Sequence, residues 1–291
     1  MNKLMQWTVT VLTVVVIGLA ASTAQALTTH WSPTNEAHGF EQAAVGTTVV
    51  SGTYPGDWGL GYGTGDGTAN VAVRTGNPIL GNEAGNNAME LDPNGRSDLR
   101  RELFAQIPKT PGLKVRASWM FHMETPPPAS STHSVEMAFR GECGGVDCGH
   151  RLGQLLVRGQ GDGTVDLQVG NAALVPEINS DDWYEIHYWI PDLHGNDPGV
   201  FNIEVYNASQ GGILEGSALN KTLGHFDVFN LLNIPIDRDH GDFQLDHFKM
   251  ISSMDDLPAF RPTGLLVIPE PATLSLLGVA GLGLLRRRCA A

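Results

Sequence analysis

The chain has 291 residues, of which 42% are hydrophobic and 17% charged, with 35 Gly and 17 Pro. That apolar content suffices for a buried core and excludes wholesale disorder, and neither a collagen period nor a heptad repeat is present. Eighteen Lys and Arg against 31 Asp and Glu give a formal charge of -13. Such a balance lacks the basic face that phosphate neutralisation needs, so nucleic acid is excluded as a partner.

In chain order, the first element is Lys3, an apolar run from Trp7 to Ala21, and Ala24-Gln25-Ala26. A cationic start, a Val/Leu-rich stretch and a small-x-small step compose a secretory signal peptide over residues 1–26, cut after Ala26. A retained membrane helix is the rival, disfavoured by the shortness of the run. Beyond it the hydrophobic period is two, not 3.6. Leu113, Val115, Ala117, Trp119, Phe121 and Met123 alternate with Lys114, Arg116, Ser118, His122 and Glu124, Met120 being the exception, which reads as a long half-buried strand. Val135-Met137-Phe139, Val165-Leu167-Val169, Trp183 to Ile190, Phe201-Ile203-Val205 and Asp242 to Ile251 read likewise. Shorter strand candidates are Thr47–Ser51, Asn70–Arg74, Ala88–Leu91 and Leu99–Phe104, while Phe229 to Ile234 suggests one short helical turn.

Gly-Asp turn runs punctuate these segments, and no long amphipathic helix interrupts them. About ten strands without helical crossovers predict an all-β, antiparallel jelly-roll sandwich over residues 27–262. The succession from Trp183-Tyr184-Glu185-Ile186 through Phe201–Asn207 to Phe243-Gln244-Leu245-Asp246-His247-Phe248 resembles the concanavalin A-like (laminin-G type) domains. That resemblance implies the fold and leaves the ligand open.

Three constellations are candidates for chemistry. On the strand from Trp183, the residues Trp183, Glu185, His187 and Trp189 share one face. Aromatic rings beside a carboxylate and an imidazole suit stacking on sugar rings and hydrogen bonding to their hydroxyls, while burial as ordinary core is the alternative. The run Gly95-Arg96-Ser97-Asp98-Leu99-Arg100-Arg101-Glu102 resembles the Arg-Ser-Glu-Leu-Arg strand of alginate-lyase-like jelly rolls. The resemblance implies Arg96 and Arg100 as clamps for a uronate carboxylate, with His187 and Tyr206 completing a lyase site. The family's Gln-Ile-His element has no match, and cross-strand ion pairing explains the charged strand as well. Asp66, Asp162, Asp239 and Asp242 lie in Asp-rich loops that suit a structural Ca2+ or plain turns; no motif requires a cofactor. Cys143 and Cys148, with four residues between them of which two are glycines, suit a loop-closing disulfide in an oxidising compartment. A zinc site with His150 is the rival.

The end of the chain reads Pro269-Glu270-Pro271, an apolar stretch to Leu285, then Arg286-Arg287-Arg288. The apolar stretch is short for a span, but three arginines after it are a positive-inside signal that orients a short transmembrane helix. Motif, helix and basic cluster together resemble the PEP-CTERM sorting signal of Gram-negative bacteria, here residues 263–291. The resemblance implies export across the inner membrane, a transient membrane tether, processing near Pro269-Glu270-Pro271 by an exosortase-like enzyme, and a destination at the cell surface or in an exopolysaccharide matrix. A simple C-terminal anchor is the alternative. The expected function is a noncatalytic sandwich binding extracellular polysaccharide; the alternatives are a uronate lyase on the same fold and a purely structural surface protein.

Overall fold

The computed structural model of the chain describes residues 27–31, 44–47, 58–60, 69–73, 87–91, 97–123, 135–143, 146–160, 164–170, 172–193, 199–223, 228–236 and 243–260. The signal peptide, the sorting segment, Arg96, and the calcium candidates Asp66, Asp162, Asp239 and Asp242 lie outside these residues. Described first are β1 (Thr28–Trp31), β2 (Trp58–Leu60), β3 (Ala69–Val73), β4 (Asn87–Leu91) and β5 (Ser97–Pro108). There follow β6 (Lys114–Met123), β7 (Val135–Cys143), β8 (Val146–Gly159), β9 (Val165–Val169) and β10 (Ala172–Ile178). The last five are β11 (Trp183–Ile190), β12 (Val200–Asn207), β13 (Ile213–Thr222), β14 (Val228–Ile236) and β15 (Phe243–Ser253).

They form two antiparallel sheets. The eight-stranded sheet runs β13-β12-β11-β6-β15-β4-β3, with β1 added on β15, and the seven-stranded sheet runs β10-β9-β8-β7-β14-β5-β2. Among the described residues all regular structure is strand, so the described body is an all-β antiparallel sandwich, as its period-two pattern requires. The alternation on β6 and β11 sets the interior: Val115, Ala117, Trp119 and Phe121, with Ile186, Tyr188 and Ile190, belong to one core with Phe139, Leu152, Leu155 and Leu167 of the facing sheet. Each such fully buried aliphatic or aromatic side chain contributes about 1.5–3 kcal/mol by leaving water. Two polar atoms inside this core are paired from sheet to sheet. Trp119 Nε1 donates to Met137 Sδ at 3.0 Å and the Tyr188 hydroxyl donates to the Leu152 carbonyl at 3.0 Å, so burial leaves neither donor unsatisfied.

Several strands differ from the sequence reading for local reasons. The segment Phe229 to Ile234 is not a helical turn but the middle of β14, an interior strand between β7 and β5. Its Pro235 masks the strand pattern, because proline cannot donate to a ladder; the register with β7 skips Ile234 and Pro235, which pair with β5 alone. β8 carries Gly153 with φ at 80°, where the register against β7 slips. A Cβ at Gly153 would stand 2.5 Å from Tyr188 Cε2, so the glycine that interrupts the alternation is the one that lets β8 approach the opposite sheet. β13 shows no clean alternation because it is an edge strand with Ile213, Leu214 and Leu219 exposed. Cys143 ends β7 opposite Val146, and Cys148 lies further along β8.

Candidate functional site

The two faces of the eight-stranded sheet differ in kind. Tyr184, Ile186, Tyr188 and Ile190 of β11 enter the sandwich core, so Trp183, Glu185, His187 and Trp189 share the outer face, as the alternation requires. The register aligns these four with His122, Met120, Ser118 and Arg116 of β6, and aligns Glu185, His187 and Trp189 with Tyr206, Glu204 and Asn202 of β12. On the far side of β6, Asp246 stands opposite Met120 and Lys249 opposite Ser118. A bulge between them, with His247 at a φ of 57°, carries one extra residue and returns Lys249 to the outer face.

This face is polar and covered at once. Trp183, Glu185 and His187 are 2%, 0% and 3% exposed, so the open face expected from sequence is closed at these three positions, and only Trp189 is half-buried. Trp183 forms a small apolar cluster with Ala88, Met120 and Ala208, and its ring stacks on His122 at 5.3 Å. The β12–β13 turn is tied beneath it: Trp183 N donates to Ser209 Oγ, and Asp182 Oδ2 accepts from Asn207 Nδ2 and Gln210 Nε2. Glu185 and His187 are joined at 2.9 Å, Nε2 to Oε1, so a fully buried carboxylate fixes the imidazole.

Around that pair, the His187 ring packs on Tyr206 at 4.8 Å, and the Tyr206 hydroxyl donates to Glu204 Oε2 at 2.7 Å. Burial and the Glu204 hydrogen bond push the Tyr206 phenol well above its ordinary range, because a phenolate there would lie against two carboxylates. Arg116 extends its guanidinium over the Trp189 ring, 5.4 Å from the centroid, a cation–π contact, and Trp189 itself is half-buried. Burial lowers the Arg116 guanidinium while Glu204 opposes that shift, and an arginine keeps its charge in either case. Three buried polar atoms on the face, Arg116 Nε, Ser118 Oγ and His122 Nε2, have no hydrogen-bond partner.

Of the residues that composed the expected lyase site, His187 and Tyr206 come together on this face. Arg100 lies on β5 of the other sheet, paired with Asn233 and Gly59. Sequence reasoning grouped Arg116, Ser118 and His122 as the polar side of β6 but had no cross-strand register with which to place them beside His187; Glu204 and Phe260 were missed. Among the described residues, no group of three His, Cys, Asp or Glu side chains is placed to hold a metal ion. A separate cleft of about 140 Å³ lies between β10 and β13, where Val169, Leu174, Ala218 and Leu219 surround one charged residue, Lys221; none of the sequence-selected residues lines it.

Residues 267–288 match the family model of the PEP-CTERM protein-sorting motif, the segment in which Pro269, Glu270, Pro271 and Arg286 to Arg288 stand. No curated protein matches the chain by sequence. Among solved structures the chain is similar to an arabinose-bound α-L-arabinofuranosidase at 13% identity and a TM-score of 0.38, over 82% of this chain and 28% of the enzyme. It is similar to lectin II from Ulex europaeus at 6% identity and a TM-score of 0.41, over 71% of this chain and 96% of the lectin. For the carbohydrate recognition domain of Emp47p the values are 12% identity and 0.39, over 80% and 98%. The chain thus spans under a third of the arabinofuranosidase's length, and it carries the sorting motif of an exported, exosortase-processed protein at the end of an all-β antiparallel sandwich.

Proposed function

We propose that this exported sandwich acts at the cell surface or in the extracellular matrix, where it binds polysaccharide without cleaving it, through the outer face of the eight-stranded sheet. The observation that carries the reading is Trp189, half-buried at the edge of the covered residues, with the Arg116 guanidinium 5.4 Å from its ring centroid. An indole face with hydrogen-bonding groups beside it suits the apolar C–H face and rim hydroxyls of a sugar ring. The net charge of -13 favours neutral glycans, or anionic ones bridged by divalent cations.

A lyase is the second reading, favoured by the contact of His187 with Tyr206. Two observations weigh against it. Tyr206 holds its proton more tightly than a free phenol, the reverse of what a proton-abstracting base needs, and Arg100 belongs to the other sheet. The two readings separate in one experiment: the chain is run through native gels containing alginate, dextran or xylan, and the same mixtures are followed in the ultraviolet for an unsaturated product. We expect retention by at least one polysaccharide, no absorbance change, and about a tenfold weaker retention for Trp189→Ala, about 1.4 kcal/mol. Growing absorbance supports the lyase. Absence of retention on every polysaccharide favours a structural surface protein, and retention unaltered by Trp189→Ala removes this face from the reading.

A further inference from the structure

The chain leaves β15 at Ser253 and then folds back over the outer face. Asp255 N donates to Ser253 Oγ, Asp256 pairs with Lys114 at the start of β6, and Phe260 sets its ring edge-on to His187 at 6.1 Å and 85°. Ser253 is itself in register with Lys114, whereas His187 is in register with Ser118, further along β6. Residues 254–260 therefore turn back along the sheet instead of continuing away from it. Phe260 lands on the imidazole at the centre of the polar face, where the Ser118 hydroxyl beneath has no partner.

We propose that Met254–Phe260 is a strap that fills a subsite of the polysaccharide-binding face from within the chain, and that a sugar ring enters by displacing Phe260 from His187. The inference rests on the binding reading above and adds its regulation. Three features support it. The described contacts of the strap are light, one backbone hydrogen bond to Ser253, an ion pair whose carboxylate is almost fully exposed and one aromatic edge contact, so it lifts without disturbing the core. The group it covers is an imidazole held in place by Glu185, ready to hydrogen-bond a hydroxyl once uncovered. The matched sorting segment begins at Val267, seven residues beyond Phe260, so the strap is the last described stretch of chain before the segment that sorting acts on.

The test compares the full chain with Phe260→Ala and Asp256→Asn. His187 accessibility is read by diethyl pyrocarbonate labelling mapped to that residue by mass spectrometry, and ligand access by retention in alginate, dextran and xylan gels. Phe260 is half-buried and the Asp256 side chain almost fully exposed, so neither change touches the core. Phe260→Ala is expected to raise both His187 labelling and retention by about two- to tenfold, the worth of one aromatic edge contact, and Asp256→Asn to move both by less in the same direction. Unchanged His187 labelling in Phe260→Ala overturns the strap. Increased labelling with parent and variant retained equally overturns its competition with ligand. Increased labelling with neither retained by any polysaccharide supports a strap over the face and instead sinks the binding reading.

Discussion

The two faces of β11 share one backbone and nearly the same burial, yet they are built on different terms. Inward, Tyr188 is wholly buried among Phe139 and Phe201 and uses its single polar atom on the Leu152 carbonyl. Outward, His187 is 3% exposed but sits on Glu185, Tyr206 and Phe260, with the unpartnered Ser118 hydroxyl on the neighbouring strand. The inner face is stabilised by apolar area and tolerates almost no unpaired polar atom. The outer face keeps polar groups out of water, which costs free energy unless each finds a partner. A face that gains little stability from its residue types, and is nonetheless stocked with them, is where function is to be sought.

The largest expected effect tests the inner face. Trp119→Ala removes a side chain 2% exposed, its edge contact on Phe139 and the hydrogen bond to Met137. It should lower the free energy of unfolding by about 3–5 kcal/mol in urea titrations. A loss under about 1 kcal/mol would mean that the sandwich does not depend on this contact between its sheets. The outer face should respond less. Glu185→Ala strips His187 of its acceptor and should cost about 1–3 kcal/mol. In a double-mutant cycle with His187→Ala the two losses should not add, because both delete the same contact. Additive losses would show that the 2.9 Å pair carries no coupling.

The inner face was legible in sequence and the outer one only as a residue set. Val115 to Met123 and Tyr184 to Ile190 announce the core because a strand buried on one side alternates with period two, and β9 and β11 fall where that pattern places them. The same pattern implied that the opposite side chains face water. It could not do otherwise, since what covers Glu185 and His187, Phe260 included, comes from elsewhere in the chain. Trp183, Glu185, His187 and Trp189 do share one face, and of the two readings left open for it, an open face or burial, burial holds at the first three while Trp189 is half-buried. Arg100 and His187 both looked like site residues, but only strand order decides that they lie in different sheets. Register, bulges such as the one at His247, and the proline accommodated in β14 are properties of strand pairs, and a single strand's sequence does not carry them.

The smallest effect compares the faces by titration. Burial pushes the Tyr184 phenol up to about 12, and that of Tyr188 well above its ordinary range; on the outer face, burial and Glu204 raise Tyr206. A raised phenol keeps its proton in the folded chain after the unfolded chain has released it. Stability is therefore fully present below about pH 10 and declines as the pH rises from there towards the folded values. Urea midpoints should be flat on the acid side of that window and fall steeply within it. Tyr184→Phe should make the fall shallower at some cost in baseline stability, because the hydroxyl also accepts from Asn179 N at 2.8 Å. Tyr206→Phe should make it shallower with less baseline cost, since that side chain is only partly buried. If Tyr206→Phe leaves the slope untouched while Tyr184→Phe alters it, the outer-face phenol is better hydrated than its contacts with Glu204 and His187 imply.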